Sequence, residues 1–521
     1  MEDLTAFTND KTLSNRQKVI LSFACLPTNL GWALSESLII PYLLIIGAPL
    51  YVCSWTWFFS PILSSYIAPK LDAWSDNWNT TNCFGWRGRK QCILILSIIS
   101  GITMILLPQS HTIAINIFRT DSVALTFIIA MLLFTIMDIS FYLLLRPLQA
   151  LIWDITMGNK ASYMDTMKVF NIVQGVCRMS GLVIVAICIS FNVTIFGTHI
   201  AAAFTLGSFI IFICSFFSLF YSPNPPELDS ITAYQETIPF ANSAFTSNLY
   251  TTFDADALSD CYASDTLMDT DEIKHLLFAG GALYKSTDVI HDDDEYNTDE
   301  DNDSNALLFA NNANHGDSSK YHALYLLWLS QLSGWCSMCC IILFWTSFIS
   351  IDVYHGIAID HRLGNLHQDT YEWQQFKAGV VFGAYGLLLT ALISVNCSVL
   401  YPWLRKRIST RALYMVGELM MALLCVSFYV TESCTLLLIL ISVFGLAMQI
   451  HMQSCHELTE NELQPMFAKM RESKTKVYFS YCMELANVIA PVAVSLFGGP
   501  MVYAFNGEFK YLFLLAGVIQ L

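Results

Sequence analysis

The sequence predicts an all-α polytopic membrane protein with about twelve helices, arranged as two halves of six. Hydrophobic residues make up 55% of the 521-residue chain and charged residues only 13%, whereas a soluble domain carries roughly 25% charged residues. Apolar runs of about twenty residues recur along the chain, and each is about long enough to cross a hydrocarbon core of about 30 Å as a helix. A long acidic stretch separates these runs into two sets.

Eleven spans of sufficient length follow from hydropathy. They are 18–40, 49–69, 92–108, 122–145, 169–191, 199–221, 322–349, 376–400, 412–431, 434–455 and 477–498. A last apolar run begins near Lys510 and rises only about 18 Å as a helix, so we expect a twelfth helix that is truncated or inside which the chain ends. The N-terminal tail, 1–17, is polar, so the first span is expected to be an uncleaved anchor.

The distribution of basic residues predicts the orientation. Lys and Arg concentrate in the loops that follow even-numbered spans, at 70–90, 146–168, 405–411 and 469–476. The positive-inside rule places these loops and both termini in the cytosol. The sequon at Asn192 then lies outside, where it can carry a glycan, whereas the sequon at Asn79 lies inside and stays bare.

Residues 222–319 separate the N-terminal half, 18–221, from the C-terminal half, 320–521. This segment contains 20 acidic residues and two lysines, so its net charge is −18 while that of the whole chain is −16. Such a composition cannot bury enough apolar surface to fold, which predicts a disordered cytosolic linker.

The linker also contains sorting-like sequences. Glu272 with Leu276 and Leu277, and Asp303 with Leu307 and Leu308, fit an acidic dileucine pattern that adaptors read. The pattern leaves two compartments open, the plasma membrane and an endosome or lysosome-related organelle.

Several chemical functions find no support in the sequence. The 16 cysteines lack metal-ligand spacing, and buried thiols usually pack as small apolar groups. A Gly-rich phosphate loop, a catalytic triad signature and a basic nucleic-acid patch are absent from the sequence, so we expect neither an enzyme nor a cofactor. Two six-span halves instead indicate a transporter with its site near the midplane.

The stretch DAWSDNWNTTNCFGWRGRKQCIL (72–94) places several charges in the turn between the second and third spans. Asp76, Arg87, Arg89 and Lys90 are candidates for a cytosolic gate, because charges at helix ends can pair across the two halves and hold one access state. In the other interpretation, the basic residues anchor the span at the lipid surface.

Four ordered motifs resemble the plant sucrose–proton symporters and their animal relatives, the solute carrier 45 family. They are GWALSESLIIPYLLIIGAP (31–49), FFSPILSSYIAPKLDAWSD (58–76), DISFYLLLRPLQALIWDI (138–155), and QLSGW with DVYHG (331–335 and 352–356). The resemblance implies a major facilitator fold and proton-coupled sugar transport.

The chain also departs from the family pattern at polar positions. Tyr142 and Ser347 replace family aspartates, Gln149 replaces a basic residue, and Arg146 replaces a glycine. In the first span the family's Gln or Glu is Ser35, and Glu36 follows one position later. Since these positions touch substrate or proton chemistry, the family's substrate does not transfer directly.

Ionisable residues inside spans are functional candidates. Asp138 lies about 10 Å from the cytosolic end of its span, and it aligns with the aspartate that the resemblance implicates in proton coupling. Arg178 lies at similar depth, and we expect Asp138 to be its partner, since an unpaired buried guanidinium is very costly. A permanent structural pair is the competing interpretation.

Other candidates are assigned to the substrate or the gate. Glu36, Trp335, Gln149 and Glu484 are the substrate candidates, and Glu484 also fits a gate partner of Arg405–Arg411. Glu418 is a gate candidate with the same basic partners. His451 is interpreted as a packed or interfacial histidine.

The sequence therefore predicts a proton-coupled symporter of a sugar such as sucrose or glucose, with the sugar, protons and lipid as its partners. Two other hypotheses stay open at this point. One is a carrier of an amine or amino acid, and the other is a non-transporting sensor or regulator of organelle pH.

Overall fold

The computed structural model describes residues 13–77, 88–156, 160–223, 303–358, 370–458 and 473–521. The description covers the backbone alone at 76–77, 160–161, 303–324, 456 and 473–484. Apart from one isolated bridge, the regular elements in these ranges are helices. The chain divides into two compact units, Met1–Thr252 with Ser330–Leu521, and Phe253–Leu329. In the second unit, the described part is the beginning of one long helix.

Within the described ranges, the N-terminal half forms α1 (Asn15–Ser22), α2 (Leu26–Ile45), α3 (Leu50–Cys53), α4 (Phe59–Asn77), α5 (Gly88–Leu106), α6 (Ser110–Phe118), α7 (Val123–Ile155), α8 (Lys160–Ser190) and α9 (His199–Tyr221). Short 3-10 segments join α1 to α2, α3 to α4 and α5 to α6. The first two predicted spans therefore correspond to interrupted helices. Ser14 begins the first of them with a capping box, in which its side chain and that of Gln17 bond each other's backbone N–H.

The C-terminal half forms α10 (Asp303–Phe348), α11 (Tyr371–Arg405), α12 (Thr410–Val430), α13 (Cys434–Leu458), α14 (Ser473–Ala504) and α15 (Lys510–Gln520). A π-helical turn, Ile349–Val353, extends α10. In the part of the chain that the structure describes, nine helices are long and apolar enough to cross a membrane, and α15 is shorter. These helices confirm the predicted all-α polytopic fold class.

The helices extend beyond the predicted spans. For example, α7 ends at Ile155 rather than at 145, and α11 begins at Tyr371 rather than at 376. Backbone hydrogen bonding continues through polar interfacial residues, which hydropathy alone excludes from a span. The last part of the predicted disordered linker, 303–319, is also helical, whereas 224–302 lie outside the described residues.

The two halves meet through α2 and α8 against α11, and through α3 and α4 against α14. We name helix ends inner or outer according to the predicted orientation. At the outer ends, the Ser54 hydroxyl donates to the carbonyl of Ser495 at 2.7 Å and accepts from the N–H of Gly499 at 3.1 Å. A β-carbon on Gly499 would lie 2.5 Å from Ser54 Oγ and 2.9 Å from the carbonyl oxygen of Tyr51. The outer contact between the halves therefore requires glycine at this position.

We expect Gly499→Ala to lower the midpoint of thermal unfolding of the purified protein by several degrees. The new methyl group collides with backbone oxygen, which cannot rotate away, and overpacking of this kind costs about 1–3 kcal/mol. Differential scanning fluorimetry in detergent provides the measurement. Phe497→Leu is the matched control, because Phe497 lies on the same helix with 59% of its surface exposed. Equal midpoints for the two variants would contradict the proposed contact.

Candidate functional site

Asp138 lies fully buried in α7, where side chains from two other helices hold its carboxyl group. The indole N–H of Trp32, in α2, donates to Oδ1 at 2.9 Å, and the hydroxyl of Ser60, in α4, donates to Oδ2 at 2.5 Å. A hydroxyl can also accept a hydrogen bond. Asp138 can therefore gain a proton on Oδ2 and donate it to Ser60 without leaving its position.

Arg178 binds Glu36 rather than Asp138, so the predicted partner is wrong. Nη2 of Arg178 lies 2.5 Å from Oε2 of Glu36, and the two side chains are 27% and 14% exposed. Neutral donors already hold both oxygens of Asp138, whereas Glu36 offers the buried guanidinium a matching charge. Glu36, which lies one position after the acidic or amide position of the family pattern, thus supplies the carboxylate of the ion pair.

A close approach of α8 to α2 positions this ion pair. A β-carbon on Gly181 would lie 2.8 Å from the carbonyl oxygen of Leu30 and 2.9 Å from Cβ of Ala33. Arg178 and Glu36 each lie one turn from this contact, on the faces of α8 and α2 that pack together, so the long Arg178 side chain can reach Glu36.

Glu36, Asp138 and Arg178 form one electrostatic group in the N-terminal half. The two carboxyl groups interact with each other as well as with their own partners. With all three ionised, the group carries a net charge of −1, and one bound proton makes it neutral. Burial favours the neutral state because a net charge in a low-dielectric interior is costly. This arrangement can bind and release a proton.

The C-terminal half contributes a face of α10 with unsatisfied polar atoms. Gln331, Trp335 and Cys339 recur every four residues and therefore share one face of the helix. Cys339 lies close enough to Glu36 for an electrostatic interaction. The indole nitrogen of Trp335 and Oε1 of Gln331 are buried, and neither has a hydrogen-bond partner within the described part of the chain. Buried polar atoms normally have partners, so this face can accept a polar solute.

At the inner ends of the N-terminal half, two arginines pair with acidic residues of neighbouring helices, and one of them, Arg89, is a predicted gate residue. Arg89 pairs with Asp154 and donates to the carbonyl of Ala150 at 2.7 Å. Arg146 lies 3.2 Å from Asp72. These pairs link α5 to α7 and α4 to α7, so they fasten neighbouring helices of one half.

Lys90 does not lie at an exposed gate. It is 1% exposed, and its Nζ donates to the carbonyls of Ser222 at 2.9 Å and Leu219 at 3.4 Å. The last carbonyls of a helix lack intrahelical partners, so this ammonium caps the C-terminus of α9.

Glu418 does not pair with Arg405 as the sequence predicts. It lies eight positions into α12, about 12 Å from its beginning, and its Oε1 lies 2.9 Å from Nδ1 of His451. Arg405 instead pairs with Glu457 at 2.8 Å, at the inner end of α13. Depth in the membrane separates Glu418 from the basic loop.

Asn192, the predicted glycan acceptor, lies in the turn after α8 with a left-handed backbone, φ 51°. Its Oδ1 accepts from Nζ of Lys377, in α11, at 3.0 Å. Asn192, His199, Trp373 and Lys377 are among the residues that line a cavity of about 450 Å³ at this outer seam.

Some predicted site residues fall outside this group. Gln149 lies eleven positions beyond Asp138 in α7, about 16 Å along the helix, so the structure does not bring it to the carboxyl group. Arg87, Glu272, Leu276, Leu277 and the sequon at Asn79 lie outside the described residues. The side chains of Asp76 and Glu484 are likewise not described.

Sequence reasoning does not identify the two donors to Asp138. Trp32 lies in the first motif (31–49) and Ser60 in the second (58–76), but neither is among the candidate site residues. A signal exists for Trp32, because it precedes Glu36 by four positions and so faces the same side of α2. Ser60 is one of several serines in the second span, and sequence alone does not distinguish it.

Comparison with known proteins gives remote but consistent similarity. No protein-family model matches the chain. The sucrose transport protein SUC3 of Arabidopsis thaliana is 22% identical over 412 residues, which are 74% of this chain and 64% of the relative. The match thus spans less than two thirds of that protein.

Several solved structures that are similar in fold to this chain are transporters. The nucleoside transporter NupG superposes with a TM-score of 0.55 at 14% identity, covering 97% of this chain and 96% of the other. A partially occluded inward-open form of the xylose transporter XylE from E. coli gives 0.55 at 11% identity, with 96% and 95% covered. A structure from the proton-dependent oligopeptide transporters gives 0.52 at 13% identity, with 97% and 98% covered. The chain has the major facilitator fold of a multi-pass membrane protein, and the proteins that it resembles are transporters rather than enzymes.

Proposed function

We propose that this protein is a proton-coupled carrier of a sugar such as sucrose or glucose, working by alternating access. The observation that carries the proposal is the buried group of Asp138, Glu36 and Arg178 in a chain with the major facilitator fold. Carboxyl groups and guanidinium groups inside spans are rare, and they mark ion or proton pathways. The similarity to a sucrose transport protein supports a sugar as the solute.

Asp138 is the proton carrier in this proposal. Trp32 and Ser60 keep its carboxyl in place in both protonation states, so proton binding changes the charge of the group and not its geometry. Asp138 interacts with Glu36, the partner of Arg178. Neutralising Asp138 therefore removes a negative charge that acts on Glu36, which couples the proton to the state of the ion pair.

The solute is proposed to bind between the ion pair and the unsatisfied polar atoms of α10. A sugar hydroxyl both donates and accepts hydrogen bonds, so it can satisfy the Trp335 N–H and Oε1 of Gln331 together. Glu36 and Arg178 supply an acceptor and a donor from the other half. Binding that engages both halves favours a conformation in which they close around the solute.

Uptake of radiolabelled sucrose and glucose tests this proposal. Cells that express the protein at their surface are assayed at mildly acidic and at neutral external pH. We expect acid-stimulated uptake of one of the two sugars. Absence of sugar uptake, with surface expression verified, would exclude the sugar, and acid-stimulated uptake of an amine or amino acid would then identify the other carrier class.

The linker boundaries, orientation and compartment belong to the same proposal. A glycan at Asn192 that is lost in Asn192→Gln would support the outer position of this turn.

Retention at the cell surface after Leu276→Ala and Leu277→Ala together would support adaptor sorting to an endosome or lysosome-related organelle. Deletion of 230–315 separates this linker role from transport by the spans.

We expect Trp335→Phe to raise the half-saturation concentration for the sugar about fivefold while leaving the maximal rate nearly unchanged. The substitution removes the unpartnered N–H and keeps most of the ring, so the loss is one hydrogen bond of about 1 kcal/mol. Uptake measured over a range of sugar concentrations gives both quantities. Trp345→Phe is a contrasting control, because the Trp345 N–H donates internally to the carbonyl of Gly383 at 3.0 Å. If only Trp345→Phe changed the half-saturation concentration, Trp335 would have no role in solute binding.

A further inference from the structure

The C-terminal half contains a buried charge pair that the transport proposal does not use. Glu418, in α12, and His451, in α13, approach to 2.9 Å between Oε1 and Nδ1. The glutamate side chain is 12% exposed and the histidine side chain 2%. The imidazole ring can carry a proton on either nitrogen or on both, so the pair can hold more than one proton.

Neutral side chains complete the surroundings of the carboxylate. Nε2 of Gln520, in α15, donates to Oε2 of Glu418 at 2.5 Å, and the Ser330 hydroxyl, in α10, donates to Oε1 at 3.3 Å. The Tyr414 hydroxyl donates to Ser330 Oγ at 2.9 Å. In the described ranges, two other titratable groups lie beside the pair, namely Tyr414 of α12, which interacts with Glu418, and Cys455 of α13, which interacts with Tyr414. The side chains of α10 and α15 that donate hydrogen bonds to the carboxylate are therefore uncharged.

Gly334 of α10 packs directly against the pair. A β-carbon on Gly334 would lie 2.8 Å from Cε1 of His451 and 3.0 Å from Oε1 of Glu418. The helix backbone thus lies directly against both side chains. Neither ring nitrogen of His451 makes a hydrogen bond in the described ranges, although Nδ1 lies within ion-pair distance of Oε1 of Glu418, so either nitrogen is available to a proton.

We propose that Glu418 and His451 form a second proton-binding site, in the C-terminal half and separate from Asp138. With one proton between them, the two groups are neutral in sum, whichever of them holds it. A second proton leaves the site with a charge of +1, and loss of the first leaves −1. Either change buries a net charge, which destabilises the folded protein.

The test is the midpoint of thermal unfolding of the purified full chain in detergent as a function of pH. We expect the unfolding midpoint of the wild-type protein to be highest at the pH at which the pair holds one proton, and to fall at both lower and higher pH. His451→Gln leaves a buried carboxyl that is stable only when protonated, so its midpoint falls only as the pH rises. Glu418→Gln leaves a buried imidazole that is stable only when neutral, so its midpoint falls only as the pH decreases.

The double variant, Glu418→Gln with His451→Gln, replaces both groups by neutral side chains of similar shape and should lose both dependences. It also provides a folded reference if a single variant fails to fold. The matched control is His111→Gln, because His111 forms a comparable pair with Asp121 at 3.2 Å but on the surface, and its profile should equal that of the wild-type protein. If the unfolding midpoint of the double variant still fell at both lower and higher pH, as in the wild-type protein, the proposal would be overturned. No solute is required, so this outcome is independent of whether the protein carries sugars.

Discussion

Asp138→Asn is expected to reduce acid-driven sugar uptake to the background of cells that lack the protein. The amide cannot take up a proton from water near neutral pH, so the variant loses the group that links proton entry to solute entry. Downhill exchange of sugar across the membrane does not require a proton gradient, and we expect it to persist at a measurable rate. Uptake against a gradient and exchange between preloaded vesicles separate these two quantities.

The geometry of the site makes this substitution informative. The amide introduced by Asp138→Asn could accept from Trp32 with its oxygen and donate to Ser60 with its nitrogen, since the Ser60 hydroxyl acts as donor or acceptor. The contacts of the native side chain are thus preserved, and any change of stability should be about 1 kcal/mol or less. A loss of coupling then reports on the proton and not on folding.

Asp121→Asn is the control for Asp138→Asn. Its side chain is 60% exposed beside His111, so the substitution changes a carboxylate without touching the interior. We expect wild-type uptake at both external pH values. Acid stimulation that survives in Asp138→Asn would assign proton coupling to another group, of which Glu36 is the first candidate because it interacts with the same carboxyl.

The contrast between Asp138 and Arg178 shows how far sequence reasoning reaches. Hydropathy and residue counts give the depth of each side chain along its helix, and both residues lie within long apolar helices as predicted. The direction in which each one points depends on how the helices rotate and pack. Arg178 lies one turn from the contact of Gly181 with α2 and pairs with Glu36 of that helix, and a single sequence does not reveal that contact.

The same limit explains Glu418 and His451. Each is recognisable as an ionisable residue inside a span, but the sequence assigns one to a gate and the other to packing. Their pairing depends on α12 and α13 lying side by side, with Gly334 of α10 against both. Helix positions follow from composition because the bilayer restricts spans to apolar residues. Partners between helices follow from three-dimensional packing, for which the sequence contains no simple signal.

The Glu36–Arg178 pair should be needed both for stability and for uptake. We expect Glu36→Gln or Arg178→Gln alone to destabilise the protein by about 3–5 kcal/mol, because each leaves a largely buried charge without its partner. Uptake should fall in both single variants, since the remaining charge is free to find other groups and the site loses its geometry. Thermal unfolding in detergent and sugar uptake measure the two consequences on the same preparations.

A double variant distinguishes a direct pair from two independent charges. With Glu36→Gln and Arg178→Gln together, neither charge remains unpaired, so the loss of stability should be smaller than the sum of the single losses by about 0.5–3 kcal/mol. Uptake should stay low in the double variant, because restoring stability does not restore the switch. Strict additivity of the two losses would mean that the ion pair contributes nothing, and Arg178 would then need another partner.

The exposed pair of Glu508 and Lys510 provides the comparison for these energies. Its side chains are 45% and 36% exposed at a distance of 2.9 Å, and surface pairs contribute about 0–1 kcal/mol. Glu508→Gln should therefore change neither the unfolding midpoint nor uptake appreciably. A large effect of Glu508→Gln together with a small effect of Glu36→Gln would contradict the expectation that a buried ion pair contributes more than an exposed one. The candidate site depends on that expectation. A much larger effect of Glu36→Gln than of Glu508→Gln would support the Glu36–Arg178 pair as a functional element of the carrier. Such a pair is strong only because the protein interior excludes water.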